Sequence, residues 1–134
     1  MKKKIIILIL IVGAALCAYA YYMYNKPVAG LQSQKSVLTV DGNQLVSDYD
    51  NDETSANLKY LDKVITVRGQ VEKIAQANDK TNVYLLSDNA MSSVICELDE
   101  SQNTDHIMEG DVIKIKGLCT GFLMDVVLVR SIIL

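Results

Sequence analysis

The sequence predicts a mainly β protein: a small closed barrel of five strands, preceded by a short helical segment and an N-terminal transmembrane helix. Three features lead to this prediction. A long uncharged apolar segment opens the chain, apolar and polar residues alternate from Asp62 onward, and turn signals divide that region into separate strands. The chain has 134 residues, which is enough for one ordinary domain.

The apolar segment, Ile5 to Tyr24, contains no charged residue. Twenty helical residues span about 30 Å, the thickness of the hydrocarbon core of a bilayer. The lysines at positions 2–4 favour a cytoplasmic N-terminus, and the tyrosines near the far end suit the membrane interface. We therefore predict that residues 1–24 anchor a single-pass cell membrane protein whose C-terminal domain is extracytoplasmic (periplasmic).

Two other fates of this segment stay open. Ala18-Tyr19-Ala20 has the small-x-small form of a signal-peptidase site, and cleavage there would secrete a protein that begins at Tyr21. Lipidation at Cys17 is disfavoured because Leu16 stands where a lipoprotein signal has a small residue. All three fates place the rest of the chain outside the cytoplasm. A buried helix of a soluble protein is not expected, because the segment has no polar face.

The charge of the remaining chain bears on its partners. Lys2, Lys3 and Lys4 precede the apolar segment, which leaves ten basic residues against sixteen acidic ones, a net charge of about −6. Sequence-independent nucleic-acid binding depends on lysines and arginines that displace counterions. A general role in binding DNA or RNA is therefore disfavoured, although a local basic patch would be compatible with this charge.

Residues 25–35 contain the only proline and read as a linker, and residues 36–134 form the predicted domain. Lys35 to Val40 is a candidate extended lead-in. Asp41 is a candidate helix cap, with Gln44 placed as in a capping box. The apolar residues expected on the buried sides of this helix and of a second helical turn are Leu45, Val46, Tyr49, Ala56, Tyr60 and Leu61.

The first predicted strand, Val64 to Ile74, points alternate apolar residues inward. Gly69 lies on its inward side, where a missing side chain allows a bend or a close approach of another residue. The phase of the pattern changes near Glu72 and Lys73, which predicts a β-bulge. Two further strands are predicted, at Thr81–Ser87 and Ser93–Leu98.

Asp99, with Gln102 three residues later, predicts the start of a short helix that ends near Met108. A fourth strand is expected at Asp111–Leu118 and a fifth at Asp125–Leu134. A helix between the third and fourth of five strands is typical of the OB-fold barrel. An SH3-like barrel or an open sheet is the main alternative, but neither normally has a helix at that junction.

Three segments resemble a known family: Lys59 to Val71 (KYLDKVITVRGQV), Gly110 to Gly121 (GDVIKIKGLCTG) and Asp125 to Leu128 (DVVL). They are similar to the tRNA-anticodon-binding-like OB-fold family of membrane proteins and lipoproteins, over about residues 36 to 134. The resemblance implies an OB fold. Such families are largely of unknown function, and their name reflects kinship of fold rather than demonstrated tRNA binding.

No catalytic motif occurs in the sequence. His106 is the only histidine and lacks partners at metal-like or triad-like spacing. Cys96 and Cys119 lack CxxC spacing; they either form a disulfide on the oxidising side of the membrane or remain buried thiols. We therefore predict a protein that is not an enzyme and that needs no cofactor or metal.

OB domains bind ligands on the outer face of the second and third strands and on the adjoining loops. One outward strand aromatic and one loop aromatic fall there, and outward basic residues from the first and fourth strands could form a stripe. The candidate binding residues are Tyr84, Phe122, Arg68, Lys73, Lys114 and Lys116. The alternative is that these lysines only keep strand faces soluble. The function predicted is a binding module for a protein partner or a small envelope ligand; the alternative is a nucleic-acid-binding OB protein.

Overall fold

A computed structural model of the protein describes residues 1–25 and 30–134. Residues 26–29 of the predicted linker lie outside the described part. The chain divides into two compact units, Met1–Gly30 and Leu31–Leu134. The first contains helix α1 (Lys2–Asn25), which is long and apolar enough to cross a membrane, as a signal sequence near the N-terminus also can be. The apolar N-terminal helix is thus confirmed.

The second unit contains six strands and two short helices. In chain order these elements are β1 (Leu38–Asp41), α2 (Gly42–Asn51), α3 (Glu53–Tyr60), β2 (Val64–Ala77), β3 (Lys80–Leu85), β4 (Val94–Leu98), β5 (Val112–Leu123) and β6 (Asp125–Ile133).

Strands β2 to β6 form a closed barrel. Its order is β2-β3-β4-β6-β5, and pairing of β5 with β2 closes it. The β4–β6 pair is parallel, and the other four pairs are antiparallel. This is the five-stranded Greek-key arrangement of an OB fold, so the predicted fold class is confirmed. The extended lead-in forms β1, a sixth strand that pairs in parallel with β2 outside the barrel order.

Strand β2 closes the barrel because it pairs with two neighbours. Its first half, Val64 to Gln70, pairs with β5, and its second half, Val71 to Ala77, pairs with β3. A Cβ atom at Gly69 would lie 3.2 Å from the Cβ of Leu85, so glycine allows the close approach predicted for this position. The pairing register shifts between Val71 and Lys73, which confirms the predicted bulge.

The barrel interior is filled by alternate residues of the five strands, and α2 and α3 pack against it. Leu45, Val46, Tyr49, Ala56 and Tyr60 are all buried, as their helical spacing predicted. Asp41 caps α2 by accepting a hydrogen bond from the Asn43 amide. Gln44 does not complete a capping box, because its side chain donates to Asp48 Oδ1 instead.

The predicted helix from Asp99 to about Met108 is wrong: the segment between β4 and β5 forms turns. Asp99 Oδ1 accepts hydrogen bonds from the backbone and the hydroxyl of Ser101, and Asn103 Oδ1 accepts one from the Asp105 amide. Gln102 Oε1 accepts from the Ile133 amide at the end of β6. These local side-chain bonds and the bond to β6 replace the helical pattern that the cap signal suggested.

Asp48 joins α2 to α3. Its carboxylate accepts hydrogen bonds from Tyr60 Oη, from Lys59 Nζ at 2.9 Å and from Gln44 Nε2 at 2.6 Å. Burial works against the charged form of Asp48, but these three donors outweigh it and hold its pKa below the ordinary value. The ionised carboxylate therefore stabilises the packing of the two helices.

We expect Asp48→Asn to lower the free energy of unfolding by about 1–2 kcal/mol at neutral pH, because the remaining amide accepts weaker hydrogen bonds than a carboxylate. Since the pKa of Asp48 is lowered in the folded state, its contribution is present above the ordinary aspartate pKa of about 4 and is lost as the pH falls through the folded value. The difference between the variant and the wild type should therefore shrink in acid.

Urea unfolding of the full chain in detergent micelles, followed by circular dichroism between neutral and acidic pH, measures this difference. The matched control is Asp105→Asn, in the exposed turn segment, which should remain close to wild type throughout. A difference from wild type that is independent of pH would contradict a role for the Asp48 charge.

Candidate ligand-binding face

The outer face of β3 and β4 carries a short row of half-buried side chains. Tyr84 is opposite Ile95 on β4, and Ile95 is opposite Val127 on β6. The neighbours of these residues along each strand point into the core, so strand alternation places the row outside the barrel. This is the surface that OB domains use for ligands. The row is mainly apolar, and Asn82 and Glu97 are opposite each other on the same face.

Lys73 adds a positive charge to one end of this row. It is paired with Tyr84 across β2 and β3, and its ammonium group lies 4.4 Å from the centroid of the tyrosine ring. This distance gives a cation–π contact. The bulge in β2 brings Lys73 into this register. The structure thus brings together two of the predicted binding residues.

A cleft of about 240 Å³ adjoins the Tyr84 ring. One wall is the loop between β3 and β4, in which Ser87 Oγ donates to the carbonyl groups of Asn89 and Ser92. These bonds hold the loop in a defined shape. Leu86 and Met91 contribute apolar surface to the cleft and are exposed, Met91 by 83%. Sequence reasoning missed both residues, since isolated apolar residues in a loop carry no pattern.

The hairpin between β5 and β6 lies at the same end of these strands. Asp125 Oδ1 accepts hydrogen bonds from the amide and hydroxyl of Ser93, so the hairpin is tied to the start of β4. Leu123 and Met124 at its tip are 89% and 73% exposed. Met124 also has a positive φ of 74°, which is uncommon for a residue other than glycine.

Phe122 does not join this surface as a free aromatic. Its ring stacks on Tyr49 of α2, with centroids 5.5 Å apart, and it packs against the core. One edge of the ring borders a separate groove beside α3. A loop position alone could not have predicted this packing, because it depends on the two helices that precede the barrel.

The three other candidate cations lie elsewhere on the barrel. Arg68 and Lys114 are exposed and opposite each other on β2 and β5. Lys116 is only 8% exposed, and its Nζ donates to the backbone carbonyls of Gln34 at 2.8 Å and Gln32 at 3.5 Å. Lys116 therefore holds the segment before β1 against the barrel and is not part of an open basic stripe.

Cys96 and Cys119 are buried free thiols, so the disulfide alternative does not apply to this structure. Both residues are paired with Leu128, one from each side of β6. Two strand spacings separate their backbones by roughly 10 Å, beyond the reach of a disulfide. Burial raises the pKa of both thiols, which disfavours the reactive thiolate.

Residues 1–25 and 30–134 contain no group of three or more metal-ligating side chains. His106 is exposed in the turn segment between β4 and β5. A polar cleft of about 550 Å³ lies between α2 and the β3–β4 loop. Asn89 Nδ2 donates to Asp50 across it, and the Asp88 amide donates to Asn43 Oδ1. These bonds connect α2 to the loop that borders the Tyr84 cleft.

Comparison with known proteins agrees with the observed fold. A crystal structure described as a "putative nucleic acid-binding lipoprotein" from Klebsiella pneumoniae subsp. pneumoniae superimposes with a TM-score of 0.56 and 15% sequence identity, covering 72% of this chain and 92% of that chain. At this identity the likeness is one of fold. No curated protein matches the chain. The family model tRNA_anti-like matches residues 1–133. The chain therefore belongs to the tRNA_anti-like family.

Proposed function

We propose that this protein is a membrane-anchored binding module that presents its OB barrel outside the cytoplasm and takes a protein partner or a small envelope ligand on the outer face of β3 and β4. The observation that supports this most directly is the row formed by Tyr84, Ile95 and Val127, with Lys73 at one end. These side chains are half-buried or exposed and lie on the face that OB domains use for ligands.

The chemistry of the face favours binding over catalysis. Lys73 and Tyr84 supply a cation and an aromatic ring, which orient a ligand, but no nucleophile is paired with a base beside them among the described residues. The hydroxyl of Ser87 is occupied by the loop carbonyls, and Asp125 is occupied by Ser93. These groups shape the cleft, and their hydrogen bonds within the protein disfavour a role as a nucleophile or a general base.

The proposed compartment is supported by α1. Its three preceding lysines favour a cytoplasmic N-terminus, and its length suits an uncleaved anchor. The barrel would then be on the outer side, where cysteines often form disulfides. Two buried thiols separated by an intervening strand are compatible with that environment, since oxidation cannot join them directly.

A second candidate function is binding of single-stranded nucleic acid. The solved neighbour is described as a "putative nucleic acid-binding lipoprotein", and Arg68 and Lys114 form an exposed basic pair on the barrel. A net charge of about −6 outside α1 and a single outward strand aromatic oppose it, since single-strand binding combines a basic groove with several stacking rings. We therefore prefer a protein partner or small ligand.

The orientation predicts different labelling of two engineered cysteines. Glu100→Cys, in the exposed turn segment, should react with a membrane-impermeant maleimide in intact cells or spheroplasts. Lys3→Cys should react only after permeabilisation. The wild-type protein is the control, because it shows how much label the native Cys17, Cys96 and Cys119 take up. Protection of position 100 until lysis would contradict the proposed orientation, and release of the labelled protein from the membrane fraction would indicate cleavage.

The binding face predicts a specific crosslink. With the photoreactive amino acid benzoylphenylalanine at position 84, illumination of cells should yield a discrete adduct of the full chain. The same amino acid in place of the exposed Glu109, in the turn before β5, should yield none. The aromatic replacement preserves the ring that packs beside Lys73. Equal crosslinking from both positions, or none from position 84, would remove the β3–β4 face from the proposed function.

The nucleic-acid alternative makes its own prediction. If it is correct, the full chain in detergent should retain a single-stranded oligonucleotide at low salt, and retention should fall steeply as salt rises. Arg68→Glu combined with Lys114→Glu should abolish it. The matched control is Lys63→Gln, because the Nζ of Lys63 donates to a carbonyl of α3 in the folded protein. No retention at low salt would exclude this alternative.

A further inference from the structure

A second groove lies beside the β3–β4 face, between α3 and the β5–β6 hairpin. Its volume is about 330 Å³, and its lining is more apolar than polar. The apolar side chains that line it are Leu61, Phe122, Leu123 and Val127. Leu123 is 89% exposed, while the Phe122 ring stacks on Tyr49 and packs against the core. We call this surface the hairpin groove.

The hairpin groove and the Tyr84 row form one continuous band. Val127 belongs to both, because it lines the groove and is paired with Ile95 in the row. Val127 is also opposite Gly121 on β5. A Cβ atom at Gly121 would be 3.4 Å from Leu61 Cδ1, so the band meets Leu61, the residue that follows α3, without a gap. Three strand spacings separate Tyr84 from Gly121, which is roughly 14 Å.

The two ends of this band carry different charged side chains. Lys73 provides a cation beside Tyr84 that forms no ion pair among the described residues, although Glu72 and Asp125 also border that cleft. The nearby carboxylate of Glu97 is already paired with Lys80. At the other end Glu53 lines the rim of the hairpin groove, and no ion pair involving it occurs among the described residues. An acidic group could therefore pair with the Lys73 ammonium at the Tyr84 end, whereas the groove offers it only Glu53.

Resting on the proposed function, we infer that the partner is an extended protein segment that carries an acidic residue for Lys73 and a bulky apolar residue for the hairpin groove. Extended chain advances about 3.3 Å per residue, so four to six residues separate the two anchors. An apolar side chain in the groove would cover Leu123 and remove its exposed surface from water, while the acidic residue fixes the direction of the segment.

The probes are short synthetic peptides in a serine- and threonine-rich background. The first carries Asp and Leu five residues apart, and three relatives replace Asp by Asn, Asp by Lys or Leu by Ser. Binding is measured by methyl NMR on the full chain in nanodiscs, through the signals of Leu61, Leu123, Val127 and Ile95. We expect the Asp–Leu peptide to shift these signals and each relative to bind at least about tenfold more weakly, as for loss of an anchor residue.

Variants of the protein locate the two anchors. Leu123→Asp and Lys73→Glu should each weaken the Asp–Leu peptide about tenfold or more, and Lys73→Glu should improve the Lys–Leu peptide. Leu58→Asp is the matched control: Leu58 is 77% exposed on α3 but does not line the groove. The affinity of this control for the Asp–Leu peptide should match that of wild type. Methyl spectra of the free variants that are unchanged apart from the signals of the substituted residue and its neighbours verify that the variants are folded.

Three results would overturn the inference. These are no shift with any peptide, equal binding of the Asp–Leu and Lys–Leu peptides, or an affinity that Leu123→Asp leaves unchanged. Shifts that follow the lipid composition of the nanodisc and not the peptide would assign the groove to a lipid surface, which also overturns it. A crosslink at position 84 without peptide binding in the groove would leave the proposed function standing and this inference refuted.

Discussion

The arrangement of the whole barrel depends on one strand that pairs with two partners. β2 leaves β5 at Gln70 and joins β3 from Val71, and this change of partner is what closes five strands into a small barrel. Glycine at position 69 leaves room for Leu85, which packs directly across it. The bulge that follows, between Val71 and Lys73, sets the register in which Lys73 is opposite Tyr84.

That register links barrel closure to the surface chemistry. A one-residue slip in β2 would move Lys73 away from Tyr84 and exchange the faces of the strand. The outer row is otherwise built by β4 and β6, whose parallel pairing places Val127 beside Ile95. The face is therefore a product of long-range pairing between segments about thirty residues apart, with loops adding only its edges.

Periodicity was sufficient to predict the strands, α2 and the inward residues of β2, since alternation and helical spacing follow directly from which face is buried. It failed at Asp99, where a cap-like sequence forms a turn because Gln102 bonds to β6. The basic stripe could not be assessed from spacing either. Lys116 has the alternation of an exposed residue, yet the chain before β1 covers it through contacts that no local pattern encodes.

The burial of Lys116 bears on how the barrel responds to tension. Leu31 is 3% exposed, the carbonyls of Gln32 and Gln34 are held by the ammonium group, and β1 then runs parallel to β2. A pull applied at residue 31 would first load the Lys116 contacts on β5 and then the short β1–β2 pair, ahead of the strand pairs that close the barrel. The row of Tyr84, Ile95 and Val127 takes no part in either set of contacts, so force that arrives through the preceding chain acts first on the opposite strands of the barrel.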